Sequence, residues 1–277
     1  MIRFTKMQGI GNDYVYIDTI TGQIDSLPEL AVRVSERHFG VGSDGLIVIG
    51  LSELADFKMD MYNADGSRAE MCGNGIRCAA KYVYDKGFTD KLNLSFETLA
   101  GIKHIVLHRE NGAVSSVTVD MGEPRLEPEN IPVITDSGTP AEVVLSADGN
   151  TYSALCVSMG NPHAVIFCGD PDDIDLHSIG THLENAPVFP KRVNTEFVSV
   201  LSHTLLKMRV WERGSGETMA CGTGACAAVV AAVIKGLCER KVTVELKGGS
   251  LLIEWNESDG RVYMTGPAQT VFDGTLY

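Results

Sequence analysis

Positive charge is scarce in this chain of 277 residues: 23 lysines and arginines stand against 36 aspartates and glutamates, a formal net charge of −13. That deficit opposes adsorption to nucleic acid or to an anionic membrane and points, by elimination, to a small-molecule ligand. Long hydrophobic runs are also missing. The longest, Ala225 to Ile234, is far too short to cross a bilayer. The opening segment MIRFTKMQGIGNDYVYID is broken by polar residues every few positions and lacks the apolar core and small-residue cleavage site of a secretory signal. Seven cysteines, an odd number without knot-like spacing, argue against a disulfide framework and for free thiols in a reducing compartment. No tight Cys-x2-Cys knuckle of structural zinc is present, and no motif marks a Schiff-base lysine for pyridoxal phosphate. A soluble cytoplasmic protein without metal or cofactor is expected.

What is present is a hydrophobic content of 44%, enough for one large core or for two domains of roughly 100–150 residues. Short strand-like segments dominate, among them Gly45 to Ile49, Leu92 to Phe96, Val114 to Val119, Glu196 to Val200 and Lys241 to Leu246, punctuated by Gly, Pro, Asn and Asp. Three helices are expected: Pro28 to Arg37, Gly75 to Lys86 and Gly224 to Lys235. The last two are copies of one pattern. Met71-Cys72-Gly73-Asn74-Gly75 leads into the first, which closes at Lys86-Gly87; Ala220-Cys221-Gly222-Thr223-Gly224 leads into the second, which closes at Lys235-Gly236. In both, the closing glycine lies 15 residues after the cysteine, and the copies are offset by 149 residues. An offset slightly over half the chain implies two similar halves rather than a short-period solenoid. The expected division is 1–121 and 122–266, with 267–277 returning to the first half.

Alanine-rich helices ending at glycine read as buried helices, and for the helix bodies that suffices. It does not explain the matched Cys-Gly-x-Gly, because glycine at a helix start costs stability unless something must approach the backbone closely. A cysteine at a helix N-terminus lies near unpaired N–H groups and the positive end of the helix dipole, which favour its thiolate relative to an ordinary pKa of about 8.5. The same N–H groups form a site for a carboxylate or phosphate. Two such sites facing one carbon suit stereoinversion, in which one thiolate removes an α-proton while the other thiol delivers one to the opposite face. Cys72 and Cys221 are therefore the candidate catalytic pair, and oxidation between them would inactivate the protein reversibly. The other five cysteines read as inert small hydrophobes. A non-catalytic small-molecule or metal-binding protein is the alternative of a different class.

Further blocks surround the cysteines. Lys6-Met7-Gln8-Gly9-Ile10-Gly11-Asn12-Asp13-Tyr14, Arg37-His38-Phe39-Gly40-Val41-Gly42-Ser43-Asp44-Gly45 and Asn63-Ala64-Asp65-Gly66-Ser67 precede the first. Gly160-Asn161-Pro162-His163, Arg192-Val193-Asn194-Thr195-Glu196-Phe197 and Trp211-Glu212-Arg213-Gly214 precede the second. With these in order along the whole chain, the sequence resembles the diaminopimelate epimerase family. The resemblance implies an α+β fold of two pseudosymmetric halves, each a mixed, mostly antiparallel sheet rolled around a central helix, with the active site in the cleft between them. It implies interconversion of LL- and meso-diaminopimelate, toward lysine and cell-wall precursors, without a cofactor. It also assigns roles: Cys72 and Cys221 exchange protons, His163 and Glu212 assist, and Gly73-Asn74 and Gly222-Thr223 hold the carboxylate at the reacting centre. Asn12, Asn63, Asn161, Asn194 and Arg213 would read the distal amino-acid end, with Glu212 also near substrate. Some relatives carry glutamine where this chain has Gly45, so contact there would fall to backbone or to a nearby residue. Phe272-Asp273-Gly274 resembles a segment that supports a homodimer. Proline racemases and other amino-acid racemases of the same fold remain the nearest alternative, and the asparagine set with Arg213 favours a second zwitterionic end.

Overall fold

The computed structural model describes residues 1–69 and 71–277. It is an α+β structure dominated by strands, and the chain divides into two compact units, Met1–Asp120 with Thr265–Tyr277, and Met121–Met264.

The first unit runs β1 (Ile2–Gly9), β2 (Asn12–Asp18), α1 (Leu27–Ser35), β3 (Gly45–Gly50), β4 (Phe57–Asn63), the short β5 (Arg68–Ala69), α2 (Gly73–Asp85), β6 (Asn93–Thr98), β7 (Gly101–Glu110) and β8 (Ala113–Gly122). The second continues with β9 (Glu142–Ala147), β10 (Asn150–Ser158), β11 (Pro162–Phe167), α3 (Leu176–Glu184), β12 (Asn194–Ser202), β13 (Leu205–Glu212) and the short β14 (Gly216–Glu217). Then follow α4 (Gly222–Ile234), β15 (Lys241–Leu246), β16 (Gly249–Trp255) and β17 (Val262–Gly266). A last strand, β18 (Gln269–Leu276), pairs antiparallel with β1.

One pairing pattern occurs twice. Along β1, β2, β3, β4, β6 and β7 the neighbours alternate antiparallel, parallel, antiparallel, parallel, antiparallel. Along β10, β11, β12, β13, β15 and β16 they do the same. Each parallel pair needs a crossover, and a helix supplies it: α1 and α3 in the first crossover, α2 and α4 in the second. The second crossover is the one that the cysteine motif opens. Helix α4 is buried from Gly224 to Ala232 and packs against β10, β11, β12, β13, β15 and β16, so its sheet curls around it. Alanine and valine fill it because only short side chains allow strands that close on every side. Helix α2 packs against β1, β2, β3 and β7 and exposes Asp85 at its end.

The two helices also end alike. Lys86 and Lys235 are the C-caps, and Gly87 (φ 74°) and Gly236 (φ 69°) follow in the left-handed region. The Gly87 and Phe88 N–H groups donate to Tyr84 and Val83, and those of Gly236 and Leu237 to Val233 and Ala232, closing the final turns.

The sequence reading omits α3. Its sequence LHSIGTHLE carries a central glycine and no long apolar stripe, yet Asp175 caps it by accepting from the Ser178 N–H. The glycine has a tertiary cause: a Cβ on Gly180 would come within 2.2 Å of the Trp211 ring, so the indole lies directly on the helix backbone.

Burial also sets the ionisation of several core groups. Desolvation pushes the Cys78 thiol up to about 11 and that of Cys156 to about 12, and raises the buried Tyr16 phenol well above its ordinary value. Below the unfolded thiol value of about 8.5 these groups are neutral in both states and their contribution to stability is complete. Above it the unfolded chain releases protons that the folded chain retains, so stability falls as pH rises toward the folded values. Urea unfolding should therefore show a lower midpoint at about pH 10 than at about pH 7.5, the unfolding free energy falling by about 1–2 kcal/mol for each buried thiol. An unchanged midpoint would contradict the burial of these groups.

Candidate active site

Each of the two long helices begins at its cysteine. Cys72 (φ −124°, ψ 122°) and Cys221 (φ −119°, ψ 111°) are extended N-cap residues, and each sulfur accepts the N–H of the glycine three residues on, Gly75 or Gly224, at 3.4 Å. Sulfur thus takes the place that a serine or aspartate oxygen usually fills. The N–H groups of the first helical residues, Gly73 and Asn74 or Gly222 and Thr223, lie at the end of the helix where its positive dipole emerges. The motif therefore presents a thiol and backbone donors at one spot.

In the first unit Asn12, at the start of β2, and Asn74 meet directly, Asn74 Nδ2 donating to Asn12 Oδ1. The fully buried Arg77 fixes Asn74 from behind, its Nη1 donating to Asn74 Oδ1 at 2.9 Å. Asn12 Nδ2 also reaches Asp44 Oδ2 at 3.4 Å, and burial raises the Asp44 carboxyl against the hydrogen bond it accepts from the Asp13 N–H. Asn63 is held in its own turn, donating to Ser67 Oγ at 3.0 Å. Gly45 opens β3 where a Cβ would meet the Tyr62 carbonyl oxygen at 2.2 Å, so position 45 contributes backbone only. Arg77 and Asp44 are groups that sequence reasoning missed. A charged residue inside the run Ile76-Arg77-Cys78-Ala79-Ala80, otherwise apolar, was the available signal for the first.

The second unit gathers more chemistry. Cys221 Sγ lies 3.5 Å from Thr223 Oγ1, whose hydroxyl accepts from Asn161 Nδ2 at 3.3 Å. Asn161 Oδ1 lies 3.0 Å from His163 Nε2, and His163 Nδ1 lies 2.6 Å from Glu196 Oε1, with both of these side chains fully buried. Glu212, at the end of β13, accepts from the Thr218 hydroxyl, and its carboxyl is close enough to the Cys221 thiol for its charge to act on it. Asn194 is buried and committed to main chain, Nδ2 donating to the Pro162 carbonyl at 3.0 Å and Oδ1 accepting the Arg213 N–H at 2.8 Å. The Arg213 side chain is exposed, its Nη1 donating to the Lys191 carbonyl at 3.0 Å. Thus Cys221, Thr223, Asn161, His163 and Glu196 form one network with Glu212 beside its thiol, while the Arg213 guanidinium lies outside it.

One expectation is reversed. The helix start was expected to favour the thiolate, but the Cys221 thiol is pushed well above its ordinary value, first by complete burial and then by the nearby Glu212 and Glu196 carboxyls. Hydrogen bonds from Thr223 and Gly224 pull the other way and do not compensate. Cys221 rests as a thiol. Burial likewise raises the Glu212 carboxyl, against the hydrogen bonds from Thr218 and Cys221. A carboxyl of raised basicity beside that thiol can receive its proton.

The family model for diaminopimelate epimerase matches residues 4–127 and 155–271. The chain belongs to the diaminopimelate epimerase family. A diaminopimelate epimerase of Acetivibrio thermocellus is 56% identical over 275 residues, covering 99% of this chain and 98% of the relative. Another of Methanococcus maripaludis is 54% identical over 275 residues, covering 99% of both. Solved structures extend the likeness in fold alone. A phenazine biosynthesis protein of the PhzF family from Enterococcus faecalis has a TM-score of 0.70 at 12% identity, covering 100% of this chain and 99% of that one. A hydroxyproline epimerase from Agrobacterium vitis with bound trans-4-hydroxy-L-proline has a TM-score of 0.66 at 13% identity, covering 99% and 90%.

The two motif glycines separate the half-sites experimentally. A Cβ on Gly75 would meet the Ile47 Cδ1 methyl at 2.7 Å, the free end of an apolar side chain that can change rotamer. A Cβ on Gly224 would meet Glu196 Oε1 at 2.7 Å and Cys221 Sγ at 3.3 Å, in a carboxylate already bonded to His163. Gly224→Ala should therefore destabilise by about 1–3 kcal/mol and Gly75→Ala by clearly less, as read from urea unfolding of both variants. Equal costs would show that Glu196 yields as easily as an apolar side chain.

Proposed function

We propose that this member of the family interconverts LL- and meso-diaminopimelate with Cys72 and Cys221 as exchanging base and acid, without pyridoxal phosphate or metal. The observation that carries the reading is the duplicated cysteine cap. Two thiols sit at two helix starts, each with N–H donors at the next two residues. Inversion requires a base for one face of the α-carbon and an acid for the other, and each thiol serves both roles as the direction reverses. The α-proton of an amino acid is weakly acidic, so the carboxylate must be held by donors that strengthen as negative charge develops. The N–H groups at Gly73, Asn74, Gly222 and Thr223 are suited to that task. In the second unit Cys221 enters the cycle as a thiol, and Glu212 takes its proton when the sulfur must act as a base. Asn12, Asn63, Asn161, Asn194 and Arg213 are assigned to the distal amino-acid end, Arg213 by forking onto the second carboxylate.

The reading extends to the setting of the enzyme. Among the described residues no helix is long and apolar enough to cross a membrane. A cytoplasmic location and a homodimer are part of the proposal, the latter supported by the exposed Val271 and Phe272 on β18.

Reduced protein incubated with LL-diaminopimelate in heavy water, without added pyridoxal phosphate, should yield meso product carrying α-deuterium by NMR. Cys72→Ser and Cys221→Ser should each lower turnover by a factor of about 100 to 10,000. Absence of both meso product and exchange in the unmodified protein would remove the substrate assignment. Turnover of proline would favour another racemase of the same fold.

A further inference from the structure

The repeated pairing pattern allows the two units to be compared position by position. Val15 pairs with Leu46 and Leu46 with Tyr62, while Ala164 pairs with Thr195 and Thr195 with Trp211. One residue further along the strand, Ile47 between Tyr16 and Met61 corresponds to Glu196 between Val165 and Val210. The helix starts agree, since Gly75 looks onto Ile47 and Gly224 onto Glu196 at the same 2.7 Å. A fully buried glutamate thus occupies a place that the fold fills elsewhere with isoleucine. Burying a carboxylate costs several kcal/mol unless it is paired, so packing alone does not account for it.

Its only partner among the described residues is His163, through Oε1; Oε2 is buried and makes no hydrogen bond. The amide of Asn161 fixes what His163 Nε2 must do. Cys221 Sγ and Thr223 Oγ1 are in contact at 3.5 Å, with either atom able to donate. Thr223 Oγ1 accepts from Asn161 Nδ2, which turns Asn161 Oδ1 toward His163 Nε2 as an acceptor. Nε2 must therefore carry a hydrogen. At Nδ1 one proton lies between nitrogen and Glu196 Oε1; whichever atom holds it, Nε2 remains an N–H donor.

We propose that Glu196 is a positioning residue for the epimerisation: it locks the His163 ring and keeps Nε2 as a hydrogen donor toward the Asn161–Thr223–Cys221 chain. Without it the ring can turn over or carry its hydrogen on Nδ1, and the direction of the chain is lost. Other ionisable groups around the pair are Glu212, Cys221 and Cys156, none of which bonds to Glu196.

Because this inference rests on the proposed epimerase activity, its test has one part that needs no substrate. Glu196→Leu places an apolar side chain where the first unit has Ile47. It should lower kcat about 100-fold with KM changed less than about twofold. It should cause no further loss in a His163→Gln background. Glu196→Gln, whose amide can still bond Nδ1, should recover part of the rate. Full activity of Glu196→Leu, or losses that multiply in the double variant, would overturn the proposal. Nitrogen-15 NMR of histidine-labelled protein supplies the independent arm and covers failure of the leucine variant to fold. The His163 Nε2 should appear protonated and protected from exchange in the unmodified protein, whether or not diaminopimelate is turned over. An unprotonated Nε2 there would overturn it as well.

Discussion

The hydrogen bond from the third helical N–H to a cysteine sulfur is the constraint on which both half-sites depend. It makes the reactive atom part of the helix cap, so moving the sulfur costs the helix that cap. Glycine at the third position leaves room for the side chain on the strand beneath, Ile47 in the first unit and Glu196 in the second. The remaining features serve this junction. Parallel pairing of β4 with β6 and of β13 with β15 demands a crossover helix, and the crossover brings a helix N-terminus back to the strands that carry Asn12 and His163 and to the turn that carries Asn161.

On this shared frame the two units have diverged chemically. Ile47 in the first corresponds to Glu196 in the second, and by the same register Tyr14 corresponds to His163 and Asn63 to Glu212. The first unit surrounds its cysteine motif with neutral amides and the buried Arg77, the second with two carboxyls and an imidazole. Equivalent backbone positions thus place different chemistry around the two thiols. A thiol pressed by two carboxyls is reluctant to ionise even at a helix N-terminus, because the partial charge of a helix end is smaller than a full opposing charge within a desolvated site.

Much of this was legible in the sequence. The expected strands Lys241 to Leu246 and Gly45 to Ile49 match β15 and β3 closely, because β-branched runs between glycines and charges leave few alternatives. Helices α2 and α4 were marked at both ends, by Cys-Gly-x-Gly and by Lys-Gly, although each begins two residues earlier than expected, directly after its cysteine. Helix α3 escaped notice because its central glycine is explained only by the ring of Trp211, 31 positions away in the chain.

By itself the sequence determined the repeat, the helix starts and the identity of the groups available for proton transfer, all of which are local and written in residue spacing. Tertiary structure decided what those groups can do. Burial, a quantity set by the whole core, outweighed the local helix dipole at Cys221. Strand register placed Glu196 behind His163, 33 positions apart, and so set the direction of a hydrogen-bond chain. Proton affinity depends on desolvation and on charges brought near by folding, and neither is a property of spacing along the chain.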